Sequence, residues 1–223
     1  MKTKLVNKFV VSLCFLILAL LTIVPMVSSI AEPAAISLSG QGQEASQKFT
    51  LTEGLSIFTM KHLGSSNFAV WLMDGNGEKV EPLANTIGNF MGAKGVGIFA
   101  SGDYILDIAT EGPWTVDITQ PKPETAQSVP VSFRGMGPQV SQFFTLNPGL
   151  ATFNMTHNGK NNFIIWLLDS KGNKIDLLVN ETGIFETGIF DGSKATGIKD
   201  SGIYCLDIYA VDADGNWKID ISQ

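Results

Sequence analysis

Cysteine is nearly absent from this chain. Cys14 lies within an apolar N-terminal run and Cys205 stands alone beyond it, so no disulfide can staple the body and stability must come from packing. Cys205 aligns with Ile105 of an internal repeat described below, which reads as a small hydrophobe rather than a nucleophile. Basic residues are scarce too. Without residues 1–31, which contain Lys2, Lys4 and Lys8 and no acid, 12 basic residues face 21 acidic ones. A body so acidic repels phosphate backbones and offers no basic patch to an anionic membrane, which argues against nucleic acid as a partner. Histidine occurs only at 62 and 157. One histidine per repeat with no thiolate beside it does not make a zinc site, and no cofactor is expected. Helical periodicity is missing from the whole chain past its N-terminal run.

That run is the first thing present. MKTKLVNK supplies three lysines, FVVSLCFLILALLTIV is uninterruptedly apolar, Pro25 breaks it, and Ser29-Ile30-Ala31 offers a small-x-small cleavage pattern. Residues 1–31 are therefore expected to be a signal peptide, or an uncleaved N-terminal membrane anchor meeting the bilayer only through residues 9–27. Either way the rest is expected outside the cytoplasm, secreted or in the cell envelope.

The body is written twice. SQKFTLTEGLSIFTMKHLGSSNFAVWLMDGNGEKV aligns without a gap on SQFFTLNPGLATFNMTHNGKNNFIIWLLDSKGNKI, with about half the positions identical. Later SGDYILDI matches SGIYCLDI, and PWTVDITQ matches NWKIDISQ. Two tandem copies follow, 32–121 and 131–223, joined by a Pro-rich linker at 122–130. Alternation of period two dominates both. Phe58, Met60 and His62 share one face while Thr59 and Lys61 face away, and Tyr104, Leu106 and Ile108 share another. NFAVWLMD and NFIIWLLD are apolar on both faces, as central strands covered from two sides would be. With dense EG, PG, DGNG and SG punctuation, this predicts an all-β chain. It would form two tandem antiparallel β-sandwiches, jelly-roll-like, of about eight strands each, after the N-terminal signal or anchor helix.

The order F-x-L-x-x-G, a hydrophobic strand ending in D-x-x-G, then S-G-x-Y before a closing aromatic strand, resembles the prepeptidase C-terminal-like domains of secreted bacterial and archaeal proteins. That resemblance implies a non-catalytic β-sandwich that associates with surfaces or partner domains.

Two loops are longer in the second copy. ETGIFETGIF, residues 181–190, repeats five residues, and YAVDADGNW is three residues longer than its counterpart ATEGPW. If successive strands run up and down in turn, both loops lie at the His157 end, and loops gathered at one end of a sandwich are where such folds bind. The candidate ligand-binding residues are accordingly His157, Glu181, Glu186, Asp191, Asp212, Asp214 and Asn216. Each has a plainer reading: slack in a loop that lengthens cheaply, or a histidine that caps an inward stripe and bonds a turn. No catalytic residue and no metal ligand is assigned. Asp212, Asp214 and Asn216 place oxygens at alternate positions, a weak Ca²⁺ possibility, but Gly215 falls fourth rather than sixth in the run and Asp-Gly is a common hairpin turn. Asp107, Asp207, Asp117 and Asp220 are expected on solvated outer faces, and the four tryptophans in the core. Asn154-Met-Thr156 and Asn180-Glu-Thr182 are sequons. The reading is an exported, non-enzymatic binding or adhesion module for a cell-surface protein or glycan. A structural envelope component without a discrete ligand, or a carboxylate-based hydrolase, are the alternatives.

Overall fold

The computed structural model describes residues 35–182, 189–210 and 215–223. The expected signal or anchor segment lies outside them. Among the described residues there is no helix, and residues 32–223 form one compact unit. The first half runs through β1 (Ile36–Gln41), β2 (Glu44–Ala45), β3 (Phe49–Leu51), β4 (Gly54–His62), β5 (Asn67–Asp74), β6 (Lys79–Ile87), β7 (Phe90–Ile98), β8 (Gly102–Ala109) and β9 (Pro113–Thr119). The second half follows with β10 (Gln127–Ser128), β11 (Val131–Met136), β12 (Gln139–Val140), β13 (Phe144–Leu146), β14 (Gly149–His157), β15 (Phe163–Asp169), β16 (Lys174–Glu181), β17 (Phe190–Ile198), β18 (Gly202–Ala210) and β19 (Asn216–Ser222). Several of these are two-residue pieces absent from the expected count.

In the first half one sheet has the order β1-β9-β4-β7, and a second has β2-β8-β5-β6 with β3 also on β8. The second half repeats both: β11-β19-β14-β17, and β13-β18-β15-β16 with β12 on β18. Every pairing is antiparallel except β10 with β13, through which Gln127 and Ser128 of the expected linker join the second half's sheet. The alternation read from sequence decides which side chains turn inward. Phe58 and Met60 from one sheet meet Phe68, Leu72, Leu106 and Ile108 from the other in a single apolar cluster, and Phe153, Phe163, Leu206 and Ile219 do the same in the second half. Each such side chain contributes about 1.5–3 kcal/mol by leaving water.

The repeated turn residues have specific tasks. Asp74 Oδ1 accepts the backbone N–H of Asn76 and of Glu78, both at 2.9 Å, and Asp169 does so for Lys171 and Asn173. Gly77 and Gly172 supply the positive φ (88° and 84°) these turns need. The tyrosine of S-G-x-Y ties its hydroxyl to the carbonyl four residues back, at 2.7 Å in each half.

The halves meet through unlike faces. Edge strand β7 lies against β12 and β18, where Leu55, Leu168 and Cys205 form a third apolar cluster with Ile57, Val140 and Trp166 packed around it. Two outward N–H groups of the edge strand find acceptors across the junction: Ala93 bonds Pro138 O at 2.9 Å, and Gly95 bonds Asp207 Oδ1 at 3.0 Å. Lys94 Nζ donates to the other Asp207 oxygen at 2.9 Å. At Gly97 and Gly172 the two backbones approach so closely that a Cβ on either would lie 2.6 Å from the other chain segment.

Two expectations are corrected here. Asp207 is not on a solvated face but only 2% exposed, because the first half packs over it; Asp107, its counterpart, is half-buried. Trp114 and Trp217 are core residues, whereas Trp71 and Trp166 are half-buried on outer faces, each with a lysine over the ring (Lys79 at 4.3 Å, Lys174 at 5.3 Å). The two-sided apolar reading of NFIIWLLD is met in full only in the second half, where Leu168 is buried between the halves.

Candidate binding groove at the His157 end

Strand register decides what this end presents. On the inner face Gly135, Trp217, His157 and Phe190 stand abreast across β11, β19, β14 and β17. One residue earlier, on the outer face, the row is Arg134, Lys218, Thr156 and Asp191. The matching row of the first half is Ser39, Thr115, Lys61 and Met91. So only the second half sets two cations, a hydroxyl and a carboxylate side by side.

A groove of about 530 Å³ opens over this row, lined by Arg134, Met136, Thr156, Asn158, Asn216 and Lys218 among others, with Ile189 on its rim. Asn216 is held in place by its backbone N–H donating to Asn158 Oδ1 at 2.7 Å, while Asn158 N–H bonds Asn216 O. The floor rests on Trp217, whose Nε1–H donates to Gly137 O at 3.0 Å. Gly135 is required there, since a Cβ would come within 2.3 Å of the Trp217 ring. Asp220 ion-pairs with Lys218; the hydrogen bonds from Lys218 and Ser132 hold its carboxyl below the usual range, with Arg134 adding to the effect. Asp220 lies outside the groove lining and engages Lys218, so Arg134 is the groove cation without an ion pair among the described residues.

Of the residues expected to bind, His157 and Asn216 line the groove and Asp191 stands in the adjacent row position. Glu181 ends β16 on the other sheet, exposed and paired in register with Phe163. Glu186, Asp212 and Asp214 lie outside the described residues, and with them most of the Ca²⁺ possibility. His157 itself is buried, its ring stacked on Phe163 at 4.6 Å. In the first half His62 shows the same stack on Phe68, with Nδ1 at 2.9 Å from Gly88 O and Nε2 at 2.7 Å from Thr110 Oγ1. That imidazole ties two loops together and is structural.

Arg134, Asn158 and Lys218 were not singled out from the sequence, and Thr156 only as the third residue of a sequon. One signal was available: Arg134 is the chain's single arginine. It opens the second repeat, where no histidine or inserted loop draws notice, and only the sheet pairing carries it to the His157 end.

A second cavity of about 370 Å³ lies where the halves meet, bordered by Glu81, Lys94, Trp166, Lys174, Asp207 and Tyr209. Its charges are already paired: Lys94 with Asp207, and Lys174 with Glu81 at 3.1 Å. Burial would lower the Lys94 pKa, but Asp207, with Glu81 behind it, raises it above the usual lysine value. Cys205 sits beneath, fully buried, and desolvation with the nearby Asp207 pushes its thiol far up, the opposite of a nucleophile.

No family model matches the chain, and no curated protein matches it. The resemblance to prepeptidase C-terminal-like domains therefore gains no support from family models. Among solved structures, the N-terminal CBM22-1–CBM22-2 tandem domain of Xyn10C from Paenibacillus barcinonensis is similar at 8% identity and a TM-score of 0.28, covering 83% of this chain and 86% of that one. The PBSX exported protein XepA is similar at 9% identity and a TM-score of 0.27, over 85% and 86%. A conserved protein of unknown function from Pseudomonas aeruginosa PAO1 follows at 10% and 0.23, over 85% and 99%. Superposition at this level carries no argument about ligand or activity.

Proposed function

We propose that this chain is an exported, non-catalytic binding protein of two tandem β-sandwiches, 32–121 and 131–223, joined by 122–130. The groove at the His157 end of the second is its ligand site. The N-terminal segment 1–31 supports export, and the repeated pairs of sheets with their own apolar clusters support the division. The observation that carries the site is the outer row Arg134-Lys218-Thr156 beneath Asn158 and Asn216, set where both longer loops of the second copy attach. Guanidinium, ammonium, amide and hydroxyl groups around an open groove suit a glycan bearing carboxylates, which arginine can grip with two parallel hydrogen bonds. Asn216 lines the groove; Asp191 and the loop candidates Glu186, Asp212 and Asp214 would repel a dense polyanion and so favour a glycan with isolated carboxylates, while Glu181 belongs to the other sheet. Within the groove no nucleophile stands beside a general base: His157 is inward and Thr156 outward on the same strand, and the Thr110 hydroxyl beside His62 is buried in the first half. Asp207, the best-buried carboxylate, is neutralised by Lys94.

The test is titration of the exported protein with neutral and uronate-containing envelope polysaccharides. Binding should favour the acidic glycan, weaken with salt, and fall about tenfold or more in R134A, the ~1.5–3 kcal/mol of a charged hydrogen bond, with unchanged melting. Equal affinity of R134A and wild type, or capture of a protein and no glycan, would reject the glycan site.

A further inference from the structure

The junction between the halves has two sides, and each half carries both. The first half gives its β4–β7 side to the junction and the second its β15–β18 side. That leaves the β5–β8 side of the first half and the β14–β17 side of the second without a partner among the described residues. We propose that these two free sides bind each other between molecules, so that the chain associates head to tail with further copies of itself, reproducing its own internal junction.

At the apolar contacts, the acceptors and the edge N–H groups the free sides correspond to the used ones, while Lys194, the counterpart of Lys94, is held in its own half by Asp176 and Leu177 O, each at 2.7 Å. Leu55, 2% exposed in the junction, corresponds to Leu150, which is 65% exposed. Leu168 and Cys205, both fully buried, correspond to Met73 and Ile105, which are half-buried on the outer face of their sheet. Asp207, which takes the Gly95 N–H and the Lys94 ammonium, corresponds to Asp107, whose carboxylate has no hydrogen bond or ion pair among the described residues. The two edge N–H groups that β7 spends on Pro138 O and Asp207 correspond to those of Ser193 and Ala195 on β17. That strand is also a sheet edge and has no neighbour on its outer side among the described residues. An unpaired edge beside an exposed leucine is a docking surface in want of a strand-facing acceptor, and Gln43 O and Asp107 stand where Pro138 O and Asp207 do.

The exceptions to the match compensate across the contact. A Cβ on Gly95 would press on Leu168 at 3.1 Å and Val140 at 3.4 Å. The second half has Ala195 there, and the facing positions of the first half are the more pliable Met73 and the smaller Ala45. Where the backbones touch, at Gly97 and Gly172, the counterparts Gly197 and Gly77 are again glycines, each with open space where a Cβ would go. Ile57 and Phe143 give way to Thr152 and Lys48, so the contact between molecules is more polar and weaker than the one within. A contact between unlike faces leaves one of each free at the ends of every assembly, and so it propagates unless the rotation closes a ring.

Sedimentation of the exported full chain over a rising concentration series, at an ionic strength that screens its net charge, tests this. Wild type should gain mass with concentration. L150E blocks one side and M73E the other, the latter beside Lys79, its register partner. Each variant alone should be unable to extend an assembly, yet an equimolar mixture should form a discrete one-to-one dimer through the surviving pair of faces. Unchanged melting of both variants keeps the reading clear, and D107K gives a second block on the acceptor side. A wild type that stays monomeric up to millimolar concentration overturns the proposal. So does a mixture that fails to pair, or self-association of either variant to the wild-type extent.

Discussion

Leu55 and Leu150 are the same residue of the same repeat, and burial alone separates them. Leu55→Ala should cost about 2–4 kcal/mol, because transfer and cavity terms both apply in a junction that cannot collapse against rigid β-strands. Leu150→Ala should change the stability of the monomer by no more than about 0.5 kcal/mol. Urea unfolding of both, at a concentration too low for association, checks the contrast. No local feature of GLSIF or GLATF distinguishes them. The alternation rule placed Phe58, Met60 and His62 inward and turned Thr59 and Lys61 away, and Leu55 lies on that same outer face. What the rule cannot see is that another half covers that outside.

Strand β4 ends on His62, and this element shows how a histidine can be a knot rather than a site. Its ring stacks on Phe68 of β5 and its two nitrogens reach the β6–β7 turn at Gly88 and the β8–β9 loop at Thr110. Gly112 packs so close that a Cβ there would sit 2.8 Å from Nε2. Replacing the ring with phenylalanine keeps the stack but removes the partner of the half-buried Gly88 O and leaves the Thr110 hydroxyl only its longer contacts with Ser66 Oγ at 3.3 Å and the Gly112 N–H at 3.4 Å. H62F should therefore lower stability by about 1–3 kcal/mol, and T110V by no more than that. Thermal melts should show both, while hydrogen exchange should quicken chiefly in the two loops. The up-and-down reading of the strands had already put both loops at the histidine end, since it needs only the order of turns. Arg134 was hidden for the converse reason: β11 reaches that end by pairing with β19, some eighty positions away, and register over that distance is not written locally.

For the whole molecule, the Lys94–Asp207 pair is the electrostatic lock between halves. The Lys94 pKa is raised on folding, so its contribution is complete below about pH 10.5, the usual lysine value, and fades as pH climbs through the folded value. Tyr104, Tyr204 and Tyr209, all raised chiefly by burial, lose stability over the same alkaline range. Wild type should thus weaken steeply there. K94M should already be destabilised by about 3–5 kcal/mol near neutrality, since it leaves Asp207 buried and unpaired. It should show a shallower alkaline decline, carried by the tyrosines alone. Urea titrations at about pH 8 and about pH 11 measure both, with Cys205 alkylation as a probe of the halves parting.

The sequence alone determined the all-β class, the duplication, the inward stripes that carry Phe58, Met60 and His62 or Tyr104, Leu106 and Ile108, and the turns at Asp74 and Asp169. All of these follow from contacts within a few residues, or from comparing one copy with the other. Only the tertiary structure decided that two repeats alike at about half their aligned positions do unlike work: one offers an edge strand, the other receives it. The patterns the copies share cannot encode that difference, because it arises from which face of each copy meets the other. Asp107 and Asp207 carry the same neighbours in sequence, and they part company only when a lysine from more than a hundred residues away arrives at one of them.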